Sequence, residues 1–384
     1  MRSGGRAGAL AVAATVAVAM ALAPAAVPMR VSPAAPVVPV SPSLTGSPGP
    51  GDGSGSPAHD DALQIERVRQ VVARGHAWLI QRQNRDGSFS IERHETSRAA
   101  PVAVTALAAL SLMAAGSLPD RGEHERTVRA AVDWLVDHCD EAGYFTTDSD
   151  SISKMHGHGY ALLALTQACG MYGQDGEGRQ RLRDAIGRGV RLIETSQGET
   201  GGWYYEPRKV ADHEGSVTVC MIQALRTARD AGFAVDRRVI DRAVAYMKRS
   251  QDPATGAFRY RINDPKTSWA LTAAALATLN ATGDYGSELV TGGFRSLEET
   301  DPYIGAGIRE AFQDYGALYA AQAYWQHPDR SAFDRWWPEF VDWAERHQLP
   351  DGEFYNGEYG NIYATAIVTL TLQVPVGYLP LFQR

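Results

Sequence analysis

Two short stretches hold the densest reactive chemistry of this chain. His156-Gly157-His158 sets two imidazoles two residues apart, and Asp212-His213-Glu214 puts an imidazole between two carboxyls. Such groups can exchange protons as general acid and base, or hold zinc if they converge. A rim tyrosine such as Tyr359 would extend the acid–base set. A plainer reading stands beside this one: Asp or Glu ahead of a helix caps its free N–H groups, and His158 packs at a helix start. Further polar residues accompany them: Glu92, His94 and Glu95; Asp148, Asp150 and Lys154; Glu206, Arg208 and Lys209; Arg259, Arg261, Asp264 and Lys266; Glu353, Tyr355 and Glu358. Whether any of these meet depends on the scaffold.

That scaffold is written as a repeat with a period of about fifty to sixty residues. Each copy reads basic residue, small residue, aromatic or aliphatic pair, Gln, then Gly followed two residues on by an aromatic. The clearest copies run from Arg74 to Phe89, Arg188 to Trp203 and Arg242 to Phe258. Ala131 to Phe145 keeps Trp134, Leu135, Gly143 and Phe145 but has Cys139 for the Gln, and Trp343, Gln348, Gly352 and Phe354 form another. A degenerate copy falls around Phe294 to Gly307, with Leu297, Gly305 and Gly307, which makes about six units.

Apolar residues at helical spacing before each Gln, as in Val71, Gly75, Trp78 and Leu79, predict an amphipathic outer helix. The glycine ends it and the aromatic folds back as a wedge, so Trp78, Trp134, Trp203 and Trp343 read as structural. A second helix follows each turn: Ala100 to Ala115, Gly159 to Cys169, Ser216 to Ala231, Ser268 to Thr282, Ile308 to Trp325 and Tyr363 to Gln373. These are rich in Ala, Leu and Thr, which suits helices packed on both sides, and four stop at Gly116, Gly170, Gly232 or Gly283. Six such pairs form either an open solenoid or a closed ring, and the absence of an evidently polar terminal cap favours closure, so the expectation is an all-α (α/α)6 toroid with this second set inside. The apolar tail Val374 to Phe382 would seal the last unit to the first. Every loop after a Gly-x-aromatic turn would then open on one mouth, with the inner-helix N-termini and their anion-attracting N–H groups. Tyr160, Trp269, Tyr315 and Tyr363 lie on the inner helices and are the expected ligand contacts.

From Arg74 to the C-terminus the residues resemble the prenyltransferase and squalene-oxidase repeat family, whose Gln-to-Trp motif is the repeated phrase described above. The resemblance implies the α/α toroid shared by terpenoid cyclases and protein prenyltransferase β subunits. It does not carry their chemistry across. The cyclase acid motif D-x-D-D finds only Asp148-Ser149-Asp150-Ser151, which lacks its third acid. Asp137-His138-Cys139 has the zinc spacing of prenyltransferases but sits at the end of an outer helix, and no cysteine stands in the Gly-Cys-x-x-Gln of thioester toroids.

Residues 1–26 carry Arg2 and Arg6, an apolar run from Ala7 to Ala23 and then Pro24, which reads as an export signal or an N-terminal anchor. Residues 27–60, rich in Pro, Gly and Ser, read as a flexible tether ahead of a toroid domain at 61–384. The net charge of −7 argues against nucleic acid, and a membrane is expected as partner only through a retained anchor. Cys139, Cys169 and Cys220 form no disulfide framework. No metal or cofactor is expected.

The function expected from these residues is an exported toroid that binds a polar or anionic ligand, such as a glycan, peptide or small molecule, at the mouth of its cavity. Two alternatives stand beside it: a polysaccharide lyase or hydrolase using rim His, Asp, Glu and Tyr, and a terpene cyclase-like enzyme.

Overall fold

Apolar residues at helical spacing, with charges between them, form the outer helices α1 (Pro57–Gln81), α3 (Glu125–Asp137), α5 (Gly176–Ser196), α7 (Arg237–Arg249), α9 (Glu288–Glu299) and α11 (Ser331–His347). In α7, Val239, Ile240, Ala243, Tyr246 and Met247 are buried along one face, while Arg237, Arg238, Asp241, Arg242 and Lys248 are exposed. The intervening helices are α2 (Pro101–Ala114), α4 (Lys154–Met171), α6 (Gly215–Asp230), α8 (Trp269–Asn280), α10 (Gln313–Gln326) and α12 (Asn361–Thr371). Every residue of α2 and α8 is buried, as their small, uncharged side chains require. The structure, a computed structural model, describes residues 57–90, 100–150, 152, 154–171, 176–211, 213–304, 312–376 and 378–382. The export signal and most of the tether fall outside the described residues, although α1 begins within the expected tether, with Pro57 in its first turn.

Each inner helix packs on the next, from α2 on α4 through to α10 on α12, and α12 packs back on α2. Outer helices α11 and α1 meet at the same seam. The protein is therefore a closed (α/α)6 toroid, and its described residues contain no β-strand beyond isolated bridges. The C-terminal tail lies across the seam: the Tyr378 N–H donates to the Ala114 carbonyl (3.3 Å), and Leu379 and Phe382 are buried.

The repeated phrase is the lock between units. Gln197 Nε2 donates to the carbonyl of Gly201 in its own turn and to that of Val239 in the next outer helix, both at 2.8 Å. Gln83 reaches Gly87 and Thr127 in the same way, and Gln251 reaches Gly256 and Leu289. Gln348 reaches Gly352 and Val71, each at 2.9 Å, so the last unit grips the first through the bond that joins the others. The basic residue of the following unit completes the lock, as Arg74 Nε donates to Gln348 Oε1 (2.9 Å) and Arg242 to Gln197 Oε1. Glycine is required at the turn for two reasons. Gly352 has φ +103, and a Cβ there would stand 2.4 Å from the Arg74 carbonyl oxygen.

A second lock holds each wedge. The backbone N–H of Phe89, Trp203, Phe258 and Phe354 donates to the inner-helix hydroxyl of Thr105, Thr218, Thr272 and Thr365, respectively. In the remaining well-formed unit the Phe145 N–H donates to His158 Nδ1 (3.2 Å). The degenerate unit differs: Tyr303 takes the aromatic place against Trp336, Phe340 and Trp343, while Gly305, Gly307 and Ile308 lie outside the described residues.

One boundary corrects the sequence reading. α4 starts at Lys154 rather than Gly159, so His156 and His158 stand on a helix and not on a loop. Gly159 marks a close helix approach, since a Cβ there would lie 2.5 Å from Cys220 Sγ.

Cys139 occupies a lock position without the amide: its sulfur lies 4.0 Å from the Ala185 carbonyl, and Arg188 donates to it at 3.5 Å. Cys139→Gln restores two amide donors and an acceptor for Arg188. The expected outcome is a gain of about 1–2 kcal/mol in stability by urea denaturation, from two added hydrogen bonds. An unchanged or lower midpoint would count against the lock.

Candidate functional site

Loops that follow the wedges, together with the first turns of the inner helices, enclose a cavity of about 600 Å³ at the inner-helix N-termini. Its wall is dominated by seven tyrosines: Tyr160, Tyr204, Tyr205, Tyr260, Tyr315, Tyr359 and Tyr363. Val104, Leu271 and Phe312 add apolar surface, and Lys154, His156, Glu206, Arg208 and Ser216 add polar groups. Deeper in the ring Gln223 Nε2 donates to Gln322 Oε1 (2.9 Å), bridging α6 and α10 two turns below the lining residues Ser216 and Tyr315.

His156 and Tyr160 are four residues apart on α4 and share its lumen face. The imidazole lies 6.3 Å from the Tyr315 ring and 6.4 Å from that of Tyr205. Burial lowers its pKa to about 4, against the opposing hydrogen bond with the Ser216 backbone, so the ring is neutral at pH 7. Burial likewise raises the hydroxyls of Tyr160, Tyr315 and Tyr363 well above the usual tyrosine range. These three phenols are neutral hydrogen-bonding groups.

Behind the wall sits a fully buried carboxyl. Glu214 caps α6, accepting from the N–H groups of Ser216 (3.0 Å) and Val217 (2.9 Å) and from Ser216 Oγ (2.5 Å). Burial pushes its pKa up, and those bonds together with one from the Tyr260 hydroxyl hold it back. Tyr260 Oη in turn lies 2.5 Å from Tyr205 Oη. Burial raises Tyr205 to about 12 and, with the Glu214 charge next in weight, raises Tyr260 further.

The two reactive stretches do not share this cavity. His158 is wholly buried two residues from His156, on another side of α4, with Nδ1 on the Phe145 N–H and Nε2 3.3 Å from the Gly189 carbonyl. It does in its unit what threonine does in four others. His213 packs against Tyr246 and Thr200 and lines a separate pocket of about 420 Å³ with Arg261 and Asp264. Asp212, Glu92, His94 and Glu95 lie outside the described residues. Trp269 is packed against Tyr303 and Gly316 rather than the cavity, whereas Tyr160, Tyr315, Tyr359 and Tyr363 line it. Asp148 is exposed, and Asp150 is buried, accepting from the Thr147 N–H (2.7 Å). Among the described residues no group of three or more His, Cys, Asp or Glu gathers as a metal site.

Sequence reasoning passed over Tyr204, Tyr205 and Tyr260. A signal existed: Tyr205 and Tyr260 each stand two residues after a wedge aromatic, Trp203 and Phe258, where an extended segment returns its side chain to the same side.

No family model matches the chain, and no curated protein matches it. Solved structures do. An inactive variant of an α-1,6-mannanase of Salegentibacter, in complex with α-1,6-mannotriose, superposes with a TM-score of 0.59 at 8% identity, covering 80% of this chain and 98% of that one. A variant of the type II terpene cyclase MstE from Scytonema, in complex with geranylgeranyl dihydroxybenzoate, gives 0.55 at 14% identity, over 81% and 98%. A protein from Actinoplanes gives 0.53 at 17%, over 79% and 98%. At these identities the likeness is one of fold: the chain has the α/α toroid seen in terpene cyclases and mannanases alike.

The His158 assignment has a pH signature. Burial lowers its pKa to about 4 from 6.5, so its contribution to stability is complete above about pH 6.5 and is lost as pH falls towards 4. His76, lowered to about 3, and His156 act in the same sense. His158→Thr keeps the wedge acceptor, costs about 1–2 kcal/mol at neutral pH through lost packing, and makes the acid decline in stability shallower by about one proton. Thermal unfolding measured across that range checks this, and an unaltered slope would refute the buried, neutral assignment.

Proposed function

We propose that the protein binds an organic anion whose apolar or aromatic body sits in the tyrosine-lined cavity. The lining itself carries this reading. A volume of about 600 Å³ suits a ligand of drug-like size. Ring faces suit an apolar body, while Lys154 and the inner-helix N-termini favour negative charge. The carboxylate in the lining, Glu206, is paired with Arg208 at 3.4 Å. The basic and apolar stretch at residues 2–23 supports placing this binding outside the cytoplasm, whether secreted or anchored.

A thermal-shift screen of aromatic and isoprenoid carboxylates and phosphates, with neutral oligosaccharides as comparison, tests it. Anions are expected to raise the melting temperature without turnover, and Lys154→Glu is expected to weaken them by roughly tenfold or more, equivalent to about 1.4 kcal/mol. Stabilisation by neutral glycans alone, or an undiminished anion effect in Lys154→Glu, would overturn the reading.

One observation favours a second reading, an acid–base enzyme acting on carbohydrate. A neutral His156 among phenols is a proton-transfer set, and a lyase suits it better than a hydrolase. Hydrolysis calls for two carboxyls flanking the bond, at about 5–9.5 Å, whereas here Glu206 is ion-paired and Glu214 is buried behind the wall. Uronate-bearing oligosaccharides would then yield an unsaturated product absorbing in the ultraviolet, and His156→Ala would abolish it. Absence of product from the unmodified protein across such a panel would remove this reading. The isoprenoid alternative is supported by the likeness of fold, but Asp148 and Asp150 offer no acid to the cavity lining.

A further inference from the structure

Among the described residues Phe312 is the only one other than glycine with positive φ (φ 65, ψ 26). In that left-handed conformation a Cβ crowds the following carbonyl oxygen, and a bulky side chain there is a genuine outlier. Phe312 carries two further costs. It stands at the N-cap of α10 and makes no side-chain cap, where Asn, Asp or Ser would satisfy a free N–H. Its ring is also 44% exposed, so burial recovers only part of its apolar surface. Asparagine would lift all three costs. A strain kept beside a cavity calls for a function there, and Phe312 lines the tyrosine cavity.

The Phe312 ring stands beside that of Tyr359, with centroids 5.9 Å apart and planes tilted by 36°, and Tyr363 continues the row at 5.6 Å from Tyr359. One amide fixes the first pair. Asn356 Nδ2 donates to Asp314 Oδ2 (2.9 Å) in the first turn of α10, and Asn356 Oδ1 accepts from the Tyr359 N–H (2.9 Å). Phe312 and Tyr359 therefore come from separate segments that are tied together directly behind the rings. A separation of 5.9 Å admits no third ring between them, since each face needs about 3.5 Å of contact distance. The pair presents one joined surface instead. Exposure falls from Phe312 through the half-buried Tyr359 and Tyr363 to the buried Tyr315 and Tyr160, so that surface runs from the opening inwards.

We propose that Phe312 and Tyr359 are specificity-determining residues which select an aromatic acid, its flat body lying on their joined surface while Lys154 serves its carboxylate. This rests on the reading of the cavity as an anion site and narrows the ligand of that site from organic anions at large to aromatic ones. A flat ring meets both faces at contact distance, and aromatic pairs gain more than the area they bury. A saturated ring of the same skeleton is thicker and puckered, touches the surface through a few hydrogens, and lacks the ring quadrupole.

The test uses the full chain and calorimetric titration with 2-naphthoate and its saturated counterpart decahydro-2-naphthoate, which carry the same carboxylate on the same carbon skeleton. The unmodified protein is expected to bind 2-naphthoate more tightly, by roughly fivefold or more. Phe312→Leu and Tyr359→Leu keep apolar bulk and lose only a ring, so each is expected to reduce that preference to about twofold or less. Phe312→Tyr is expected to retain it. Phe312→Asn suits the backbone, and with thermal unfolding confirming the fold it is expected to weaken 2-naphthoate by roughly tenfold. A purely structural Phe312 would instead lower the affinity for both acids alike and leave their ratio unchanged. Binding of neither acid, no preference in the unmodified protein, a preference that survives both leucine variants, or undiminished 2-naphthoate binding in Phe312→Asn overturns the selection and leaves the anion site to the wider screen. Undiminished 2-naphthoate binding in Lys154→Glu sinks the anion site and the selection with it.

Discussion

The bidentate glutamine amide is the interaction on which the rest depends. Its two N–H groups tie the turn of one unit to the outer helix of the next, and the arginine three residues beyond the bonded carbonyl returns to its oxygen at two of the joints. An amphipathic helix pair alone leaves an apolar face open, so neighbours must be held at a fixed separation and tilt. The lock sets the separation, because the turn glycine lies directly against the next backbone and any side chain there would push the units apart. Gln348 on Val71 makes at the seam the bond that Gln83, Gln197 and Gln251 make between units within the chain, and so joins the last unit to the first.

Closure creates the cavity and fixes its chemistry. Since every wedge turn runs into the N-terminus of an inner helix, the connecting segments gather at one end, and what they carry becomes the wall. Here they carry phenols, Lys154 and the Arg208–Glu206 ion pair. Burial holds His156 neutral and the Tyr160 and Tyr315 hydroxyls well above the usual tyrosine range, so the wall acts through hydrogen bonds and ring faces more than through charge. The same toroid encloses quite different contents in other proteins, which is why the lining and not the fold carries the functional argument.

The inner helices show how burial reshapes residue meaning. Threonine recurs there because its hydroxyl takes the N–H of a wedge that has no other partner, and His158 is that position filled by imidazole. Gly159, which looks like a helix break in isolation, sits inside α4 because the neighbouring helix comes too close for a Cβ.

The sequence by itself determined the number of units, the order of outer and inner helices, the wedges and the turn glycines. These are local properties: a period of 3.6 residues, a positive φ and a face of small residues can be read within one unit. It also held the polar loops and four inner-helix aromatics, of which three, Tyr160, Tyr315 and Tyr363, reach the cavity. Only the tertiary structure decided which groups meet. His156 and His158 look equivalent on paper, yet two residues along a helix turn the side chain through about 200°, which sends one to the lumen and the other to the core. Tyr205 and Tyr260 are 55 residues apart and join only because adjacent units place their post-wedge segments side by side. Curvature and closure are sums over the whole ring, and no single segment contains them.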